Sequence, residues 1–255
     1  MHPIARFAGL QRGYSLIEVM VAITIALFLM GGALTIVQHT GNAFKAQGQL
    51  TQLQDSERMA MALMTDVIQS TGYYPNPHNF TDAETLVSPS FAAPGAPNIA
   101  TVPVNGAIGD TITVRYAAGP LDNVYNCRGD QNTGAGAFET WENTFSVVPA
   151  APGPGGVPQF QLQCTLWSLS TNAFVTTPLV NGVQNLTIVY GINTAGAGTG
   201  SCADRYKASK DMLPADWSNV CAVKVTLTFA NPFNPKGGPK PTIDFTRVIA
   251  VMNQV

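Results

Sequence analysis

The sequence predicts an α+β protein in which a long N-terminal helix packs on an antiparallel β-sheet head with long loops. Two observations predict this division. An apolar run over residues 14–37 continues as a proline-free amphipathic stretch over residues 38–72. Short alternating runs with Gly/Pro-rich connections then fill residues 73–255. A length of 255 residues with only 11% charged side chains fits one membrane segment and one head.

Residues 1–13 have the composition of a leader peptide. They carry Arg6 and Arg12, no acidic residue and too few consecutive apolar residues for a secretory signal core. An ordinary signal peptide is cut after its hydrophobic run, but here the change from charged to apolar falls at Gly13, before that run. Cleavage at this junction, between Gly13 and Tyr14, would leave the apolar helix on the mature protein.

The apolar run over residues 14–37 is long enough to cross a membrane. A hydrocarbon core of ~30 Å needs roughly 20 helical residues. Because Arg6 and Arg12 should remain cytoplasmic, the rest of the chain is expected on the far side of a single membrane span.

Glu18 interrupts the apolar run. An ionised carboxylate inside a membrane segment costs about 2.5–3.5 kcal/mol on insertion scales, so this side chain needs a partner. One interpretation is that Glu18 only reaches the headgroups or favours the helix N-terminus. The other is that it serves in assembly.

Residues 38–72 predict an amphipathic helix with one apolar stripe. Its members are spaced by threes, fours or their multiples: Phe44, Leu50, Leu53, Ala60, Met64 and Val67. Gly72 is well placed to terminate this helix.

Five alternating or β-branched runs predict the strands of the head. They are Asp110–Tyr116, Phe160–Leu169, Val183–Tyr190, Cys221–Phe229 and Ile243–Met252. Proline-rich residues 73–106 are expected as an irregular surface layer, and residues 149–158, 193–201 and 231–241 as loops.

All four cysteines fall in the expected extracytoplasmic head, which favours disulfides. Four cysteines allow three pairings, and placement favours Cys127 with Cys164 and Cys202 with Cys221. Each proposed bridge ties a loop cysteine to a strand cysteine, so that a poorly anchored connection is held to the sheet. No C-x-x-C occurs and the histidines lie apart from the cysteines, so we expect no metal site.

Charge and motifs exclude other classes of function. The formal charge is −2, and without Arg6 and Arg12 the chain has 11 basic against 15 acidic residues, or −4, which disfavours nonspecific nucleic-acid binding. The sequence has no G-x-S-x-G, no H-E-x-x-H and no convincing pair of carboxylates. We expect no catalysis, no catalytic residues and no cofactor.

The hexapeptide Gly13-Tyr14-Ser15-Leu16-Ile17-Glu18 resembles the class III signal of type IV pilins and type II secretion pseudopilins. The resemblance implies cleavage by a prepilin peptidase and N-methylation of Tyr14. It also implies that Glu18 pairs with the free α-amine of Tyr14, in the same or a neighbouring subunit, during assembly.

Further segments resemble PilW-type minor pilins in the same order along the chain. They are residues 57–74, residues 179–193, Tyr206, Trp217, residues 220–227 and residues 246–255. The resemblance implies a pilin-like fold and a subunit that helps to initiate type IV pilus assembly in a tip or priming complex. Its partners would be other minor pilins, the major pilin and the inner-membrane assembly platform. The head would be periplasmic and then enter the pilus at the cell surface.

Two alternatives stay open at this point. A J-like pseudopilin of type II secretion would share residues 13–37 and a tryptophan-containing C-terminal region, although Gly72-Tyr73 and Tyr190-Gly191 favour the pilus subunit. A tip adhesin would bind a surface ligand through the long loops.

Overall fold

The computed structural model describes residues 13–75, 89–91, 97–120, 122–134, 138–152, 158–194, 202–233 and 241–251. The leader up to residue 12 and most of the expected loops lie outside these residues. The chain divides into two units, residues 1–50 and residues 51–255. The described elements are α1 (Leu16–Gln69), β1 (Ile99–Ala100), β2 (Ile112–Ala118), β3 (Glu139–Ala150), β4 (Gln159–Ser168), β5 (Ala173–Asn181), β6 (Val183–Ile192), β7 (Arg205–Ala208), β8 (Val220–Ala230) and β9 (Thr242–Ala250).

In the first unit, the described part of α1 presents its apolar side chains to the surroundings. Of the described residues up to Leu50, only Ala46 and Leu50 are half-buried and all others are exposed. Thr24 donates to the Met20 and Val21 carbonyls at 3.1 and 2.8 Å, which satisfies its hydroxyl within the helix. Phe44 is 67% exposed, so the expected start of the buried stripe at Phe44 is wrong.

In the second unit, residues 51–69 of α1 bury one face in the head. The stripe expected at Leu53, Ala60, Met64 and Val67 is confirmed, and Met61 and Ile68 join it. The helix ends as expected: Gly72 has φ 72° and its N–H donates to the Arg115 carbonyl at 2.9 Å. Glycine takes this left-handed conformation at no steric cost.

The head contains two antiparallel sheets, with strand orders β1-β2-β3-β4-β5 and β7-β6-β8-β9. One core includes residues of both sheets and of α1, for example Met64, Phe145 and Leu186. The predicted α+β class, with a long helix and antiparallel sheets, is confirmed.

Gly109 and Asp110 connect the two sheets. Asp110 N–H donates to the Leu186 carbonyl at 2.7 Å, and its Oδ2 accepts from Ile188 N–H at 2.8 Å. Gly109 has φ +78°, and a Cβ there would collide with the Leu186 carbonyl oxygen and the Asn185 side chain. The junction therefore requires glycine for both conformation and space.

The five predicted strands are present as β2, β4, β6, β8 and β9, with ends shifted by at most two residues over the described part. Strands β1, β3, β5 and β7 were not predicted from the sequence. In β3, Trp141, Phe145 and Val147 contribute to the core. The alternate residues Thr140, Glu142, Thr144 and Ser146 are polar yet buried. Burial on both faces removes the simple alternation by which a strand is recognised.

A buried polar cluster lies over the strand pair β2–β3. Arg115 and Glu142 face each other across the pair, and each is 2% exposed. Arg115 Nη1 donates to the Phe91 carbonyl and Nε to Asn98 Oδ1, both at 2.7 Å. Ser90 donates its N–H to Glu142 at 3.0 Å. The segment expected as an irregular surface layer therefore buries Phe91 and supplies β1.

Candidate functional site

The residues of the predicted cleavage and assembly site lie together at the start of α1. Gly13, Tyr14 and Ser15 precede the helix, and the Ser15 carbonyl accepts from the N–H groups of Glu18 and Val19 at 3.0 and 3.2 Å. Tyr14 is 82% exposed. The bond between Gly13 and Tyr14, where cleavage is predicted, therefore lies in non-helical backbone beside the first helical turn.

Neither the backbone conformation nor the described contacts of Gly13 require glycine at this position. Its φ is not in the left-handed region, and none of the described atoms lies within 4 Å of the place that a Cβ would occupy. A side chain at this position would thus meet no obstacle among the described residues.

Glu18 lies in the first turn of α1. The unpaired N–H groups of a first helical turn favour a negative charge by about 0.3–1 kcal/mol. This geometry agrees with both interpretations of Glu18, since a carboxylate at a helix N-terminus is also close in sequence to the α-amine that the predicted cleavage would create on Tyr14.

The N-terminal part of α1 is apolar around its circumference. The helix is long and apolar enough to cross a membrane, and none of its most apolar window is buried within the protein. Large side chains such as Leu16, Phe28 and Ile36 are exposed. Apolar surface of this extent needs a lipid or protein environment.

Cys127 and Cys164 form a disulfide inside the head. Their Cα atoms are 6.2 Å apart, and both residues are fully buried. Cys164 lies on β4 opposite Phe145 of β3, whereas Cys127 lies in a turn. Asn143 Oδ1 accepts from Cys127 N–H at 2.9 Å. The bridge and this hydrogen bond fasten the turn to the core face of the first sheet.

Cys202 and Cys221 form the second disulfide, with Cα atoms 5.6 Å apart. The chain between them holds β7 and the 3₁₀ helices Ser209–Asp211 and Pro214–Asn219. The sequence predicted that a bridge holds this poorly anchored segment to the sheet. The bridge is present, but it is not the segment's sole attachment, because β7 pairs with β6 and Trp217 packs edge-on against Tyr190 with ring centres 4.9 Å apart.

An ion pair also anchors this segment. Lys207 Nζ lies 2.7 Å from Asp216 Oδ2, and Asp216 accepts from Leu213 N–H at 2.7 Å. The Lys207 hydrogen bond is the main cause that lowers the pKa of Asp216, and the Leu213 N–H adds to it. The charged form of Asp216 is therefore favoured in the folded head.

Sequence reasoning missed the buried polar residues Arg115, Glu142 and Asn143. Burial lowers the pKa of Arg115 to about 10, and the nearby Glu142 charge opposes this shift. These residues hold loops to the first sheet. Over the described residues, no group of three or more His, Cys, Asp or Glu side chains could hold a metal ion.

Comparisons with known families match two parts of the chain. Residues 9–34 match the model described as prokaryotic N-terminal methylation motif. Residues 150–246, from the end of β3 into β9, match the model PilW, described as type IV pilus-assembly protein W. No curated protein matches the chain. The two matched families are structural components of pili.

Proposed function

Since this chain is a PilW-type pilin with an N-terminal methylation motif, we propose that it acts as a minor pilin that helps to initiate type IV pilus assembly. In this role it joins other minor pilins in a priming or tip complex, together with the major pilin and the inner-membrane assembly platform. The observation that best supports this proposal concerns the N-terminal part of α1. This part is apolar around its circumference, and its most apolar segment is not buried against the described part of the chain. Membrane lipid would cover this helix before assembly, and neighbouring helices would cover it in the fibre.

Processing would precede assembly. The prepilin peptidase cuts between Gly13 and Tyr14, and Tyr14 becomes N-methylated. The free space around Gly13 supports recognition by an external enzyme, because nothing described within the chain demands glycine there. The segment 14–37 then anchors the protein in the inner membrane, with the head in the periplasm. Two disulfides in the head agree with an oxidising compartment.

Glu18 would pair with the α-amine of Tyr14 when the helix leaves the membrane for the fibre. It is the one charged residue between Tyr14 and Val37. Within an apolar helix bundle, a carboxylate and an amine attract each other more strongly than in water. Pairing with the amine of the same or a neighbouring subunit would set the register of the helix in the assembly.

The Glu18→Ala variant separates insertion from assembly. Removal of the carboxylate should leave membrane insertion intact, since it removes a polar group from the span. Incorporation into sheared pili should fall strongly. Glu18→Asp is the matched control, because it keeps the charge on a shorter side chain and should retain more incorporation than alanine. Equal incorporation of Glu18→Ala and the parent protein in sheared fractions would disprove the pairing role.

Electron microscopy of a deletion strain tests the proposed function. We expect surface fibres to disappear and to return when the full-length gene is restored. Normal fibres together with a defect in protein secretion would instead identify a type II secretion pseudopilin.

A further inference from the structure

The two disulfides of the head differ in their access to solvent. Cys127 and Cys164 are both fully buried. Cys202, in contrast, is exposed, and Cys221 is half-buried. An external thiolate opens a disulfide only if it reaches one of the two sulfur atoms, and exposed bridges are therefore the ones that exchange readily. The Cys202–Cys221 bridge is thus accessible in the folded head, whereas the other bridge is not.

The segment that this bridge closes has attachments that do not depend on sulfur. Strand β7 pairs with β6, Trp217 packs against Tyr190, and Lys207 forms an ion pair with Asp216. Opening of the bridge would therefore remove one attachment and leave β7 and the following 3₁₀ helices on the second sheet. The head could lose this bond without unfolding.

Backbone and side-chain contacts of Asp204 hold Cys202 close to Cys221 even when the bond is open. The Asp204 N–H donates to the Ile192 carbonyl at 3.1 Å. The Asp204 carboxylate accepts from the Thr194 N–H at 3.1 Å and also from the Thr194 hydroxyl. These hydrogen bonds fix the chain two residues after Cys202 to the end of β6.

Gly191 of β6 allows both cysteines to approach the same point of the sheet. A Cβ at position 191 would lie 2.9 Å from the Cβ of Ala203 and 3.2 Å from that of Ala222. Ala203 follows Cys202 and Ala222 follows Cys221, so the missing side chain leaves room for the neighbours of both cysteines. Two groups that are held together in this way have a high effective concentration. We therefore expect the open bridge to close again without refolding of the head.

We propose that the Cys202–Cys221 bridge is a reversible redox site of the folded head, and that its reaction partner is a dithiol. A thiolate of the dithiol attacks Sγ of Cys202, forms a mixed disulfide and displaces Cys221 as a thiolate. The second thiol of the dithiol then attacks its own sulfur in the mixed disulfide and releases Cys202. Two electrons and two protons pass from the dithiol to the bridge, and the dithiol becomes a disulfide. The proposal does not depend on the role in pilus assembly.

Reduction of the folded, detergent-solubilised chain by dithiothreitol tests the proposal. Free thiols are alkylated after short exposures and located by peptide mass spectrometry, while near-UV circular dichroism reports on the fold. We expect Cys202 and Cys221 to be released roughly tenfold faster or more than Cys127 and Cys164, because a buried bridge reacts only when the head opens. Equal rates for the two bridges, or release of Cys202 and Cys221 only together with loss of the dichroism signal, would overturn the proposal.

A matched pair of variants identifies the sulfur that is attacked. Cys221→Ser leaves the Cys202 thiol free, and Cys202→Ser leaves the Cys221 thiol free. With oxidised glutathione, the exposed Cys202 thiol should form a mixed disulfide roughly tenfold faster than the Cys221 thiol. If either variant fails to fold, reduced glutathione is added to the parent protein and the cysteine that carries glutathione is mapped. Equal rates in the variants, or glutathione on Cys221 of the parent, would contradict the assigned point of attack.

The return reaction tests whether Asp204 holds Cys202 in place. After reduction, dithiothreitol is removed and oxidised glutathione is added to the folded chain. Asp204→Ala should slow closure of the bridge about threefold or more, since it removes the hydrogen bonds from Thr194. Asp211→Ala is the matched control, because it removes an exposed acid of the same segment, and it should close as fast as the parent. Equal closure rates in the two variants would show that Asp204 does not hold Cys202 in place.

Discussion

The N-terminal part of α1 and the head achieve stability in opposite ways. Residues 16–49 contribute no fully buried side chain, although most of residues 16–37 are apolar. The head buries a core to which α1 and both sheets contribute, and two disulfides join its loops to its strands. The first region needs apolar surroundings that the described part of the chain does not provide, whereas the head packs its apolar side chains against one another.

Because of this difference, glycine and acidic residues are explained differently in the two regions. Gly109 in the head is required by the packing around it, because a Cβ would strike the backbone of β6. Gly13 meets no described neighbour, and we propose that it serves recognition by the peptidase instead. In the same way Glu142 is explained by Arg115 and Ser90 in the head, whereas Glu18 calls for a partner outside the described contacts.

The largest expected effect within the head comes from the buried disulfide. Cys127→Ser with Cys164→Ser should destabilise the head by about 4 kcal/mol, and Cys202→Ser with Cys221→Ser by about 3 kcal/mol, since the first bridge closes the longer loop. Denaturant unfolding of the detergent-solubilised chain, followed by near-UV circular dichroism, measures both. If removal of the Cys202–Cys221 bridge lowered the free energy of unfolding more than removal of the Cys127–Cys164 bridge, this prediction would be wrong.

Two methionines of the same helix compare the regions directly. Met64 is fully buried in the head and Met30 is 64% exposed in the apolar run. Met64→Ala should cost about 3 kcal/mol, because it leaves a cavity, and Met30→Ala should leave head unfolding unchanged. The same unfolding experiment checks this. Similar losses from both substitutions would show that residue 30 also contributes to the folded head.

The smallest effect concerns pH and Asp216. Its folded-state pKa lies below the ordinary value of 3.8. Its contribution to stability is therefore present above that value and is lost as the pH falls through the folded pKa. Asp216→Asn should lower the melting temperature slightly at neutral pH and reduce the further loss on acidification below about pH 4. If the melting temperatures of the variant and the parent changed in parallel with pH, Asp216 would not contribute to the pH dependence of stability.

Sequence patterns predicted the helices and strands that have one face in the core and the other face exposed to solvent. The helix stripe from Leu53 to Val67 and strands such as β6 alternate between core and surface, so their periodicity is visible. Strand β3 is buried on both faces, β5 contains Pro178, and β7 is short and charged. These three strands lack the alternation of apolar and polar residues that is typical of a strand. Tertiary contacts, rather than local sequence preference, stabilise them as strands.

The candidate site divides in the same way. Gly13, Tyr14 and Glu18 lie in one contiguous motif, so the sequence alone allows their roles to be proposed. The roles of Arg115, Glu142 and Asn143 could not be predicted, since their partners Phe91, Ser90 and Cys127 are distant in the sequence. A buried charge is recognised only when the loop that covers it is known.

Mass spectrometry of the mature N-terminus tests the processing and assembly role. The protein is taken from the membrane fraction and from sheared fibres. We predict that both forms begin at Tyr14 and that its α-amine carries one methyl group. Gly13→Leu should leave the precursor uncleaved in the membrane, since it alters the residue before the scissile bond without disturbing a described contact. An intact leader on the mature parent protein, or an N-terminus beyond Val37, would contradict the account.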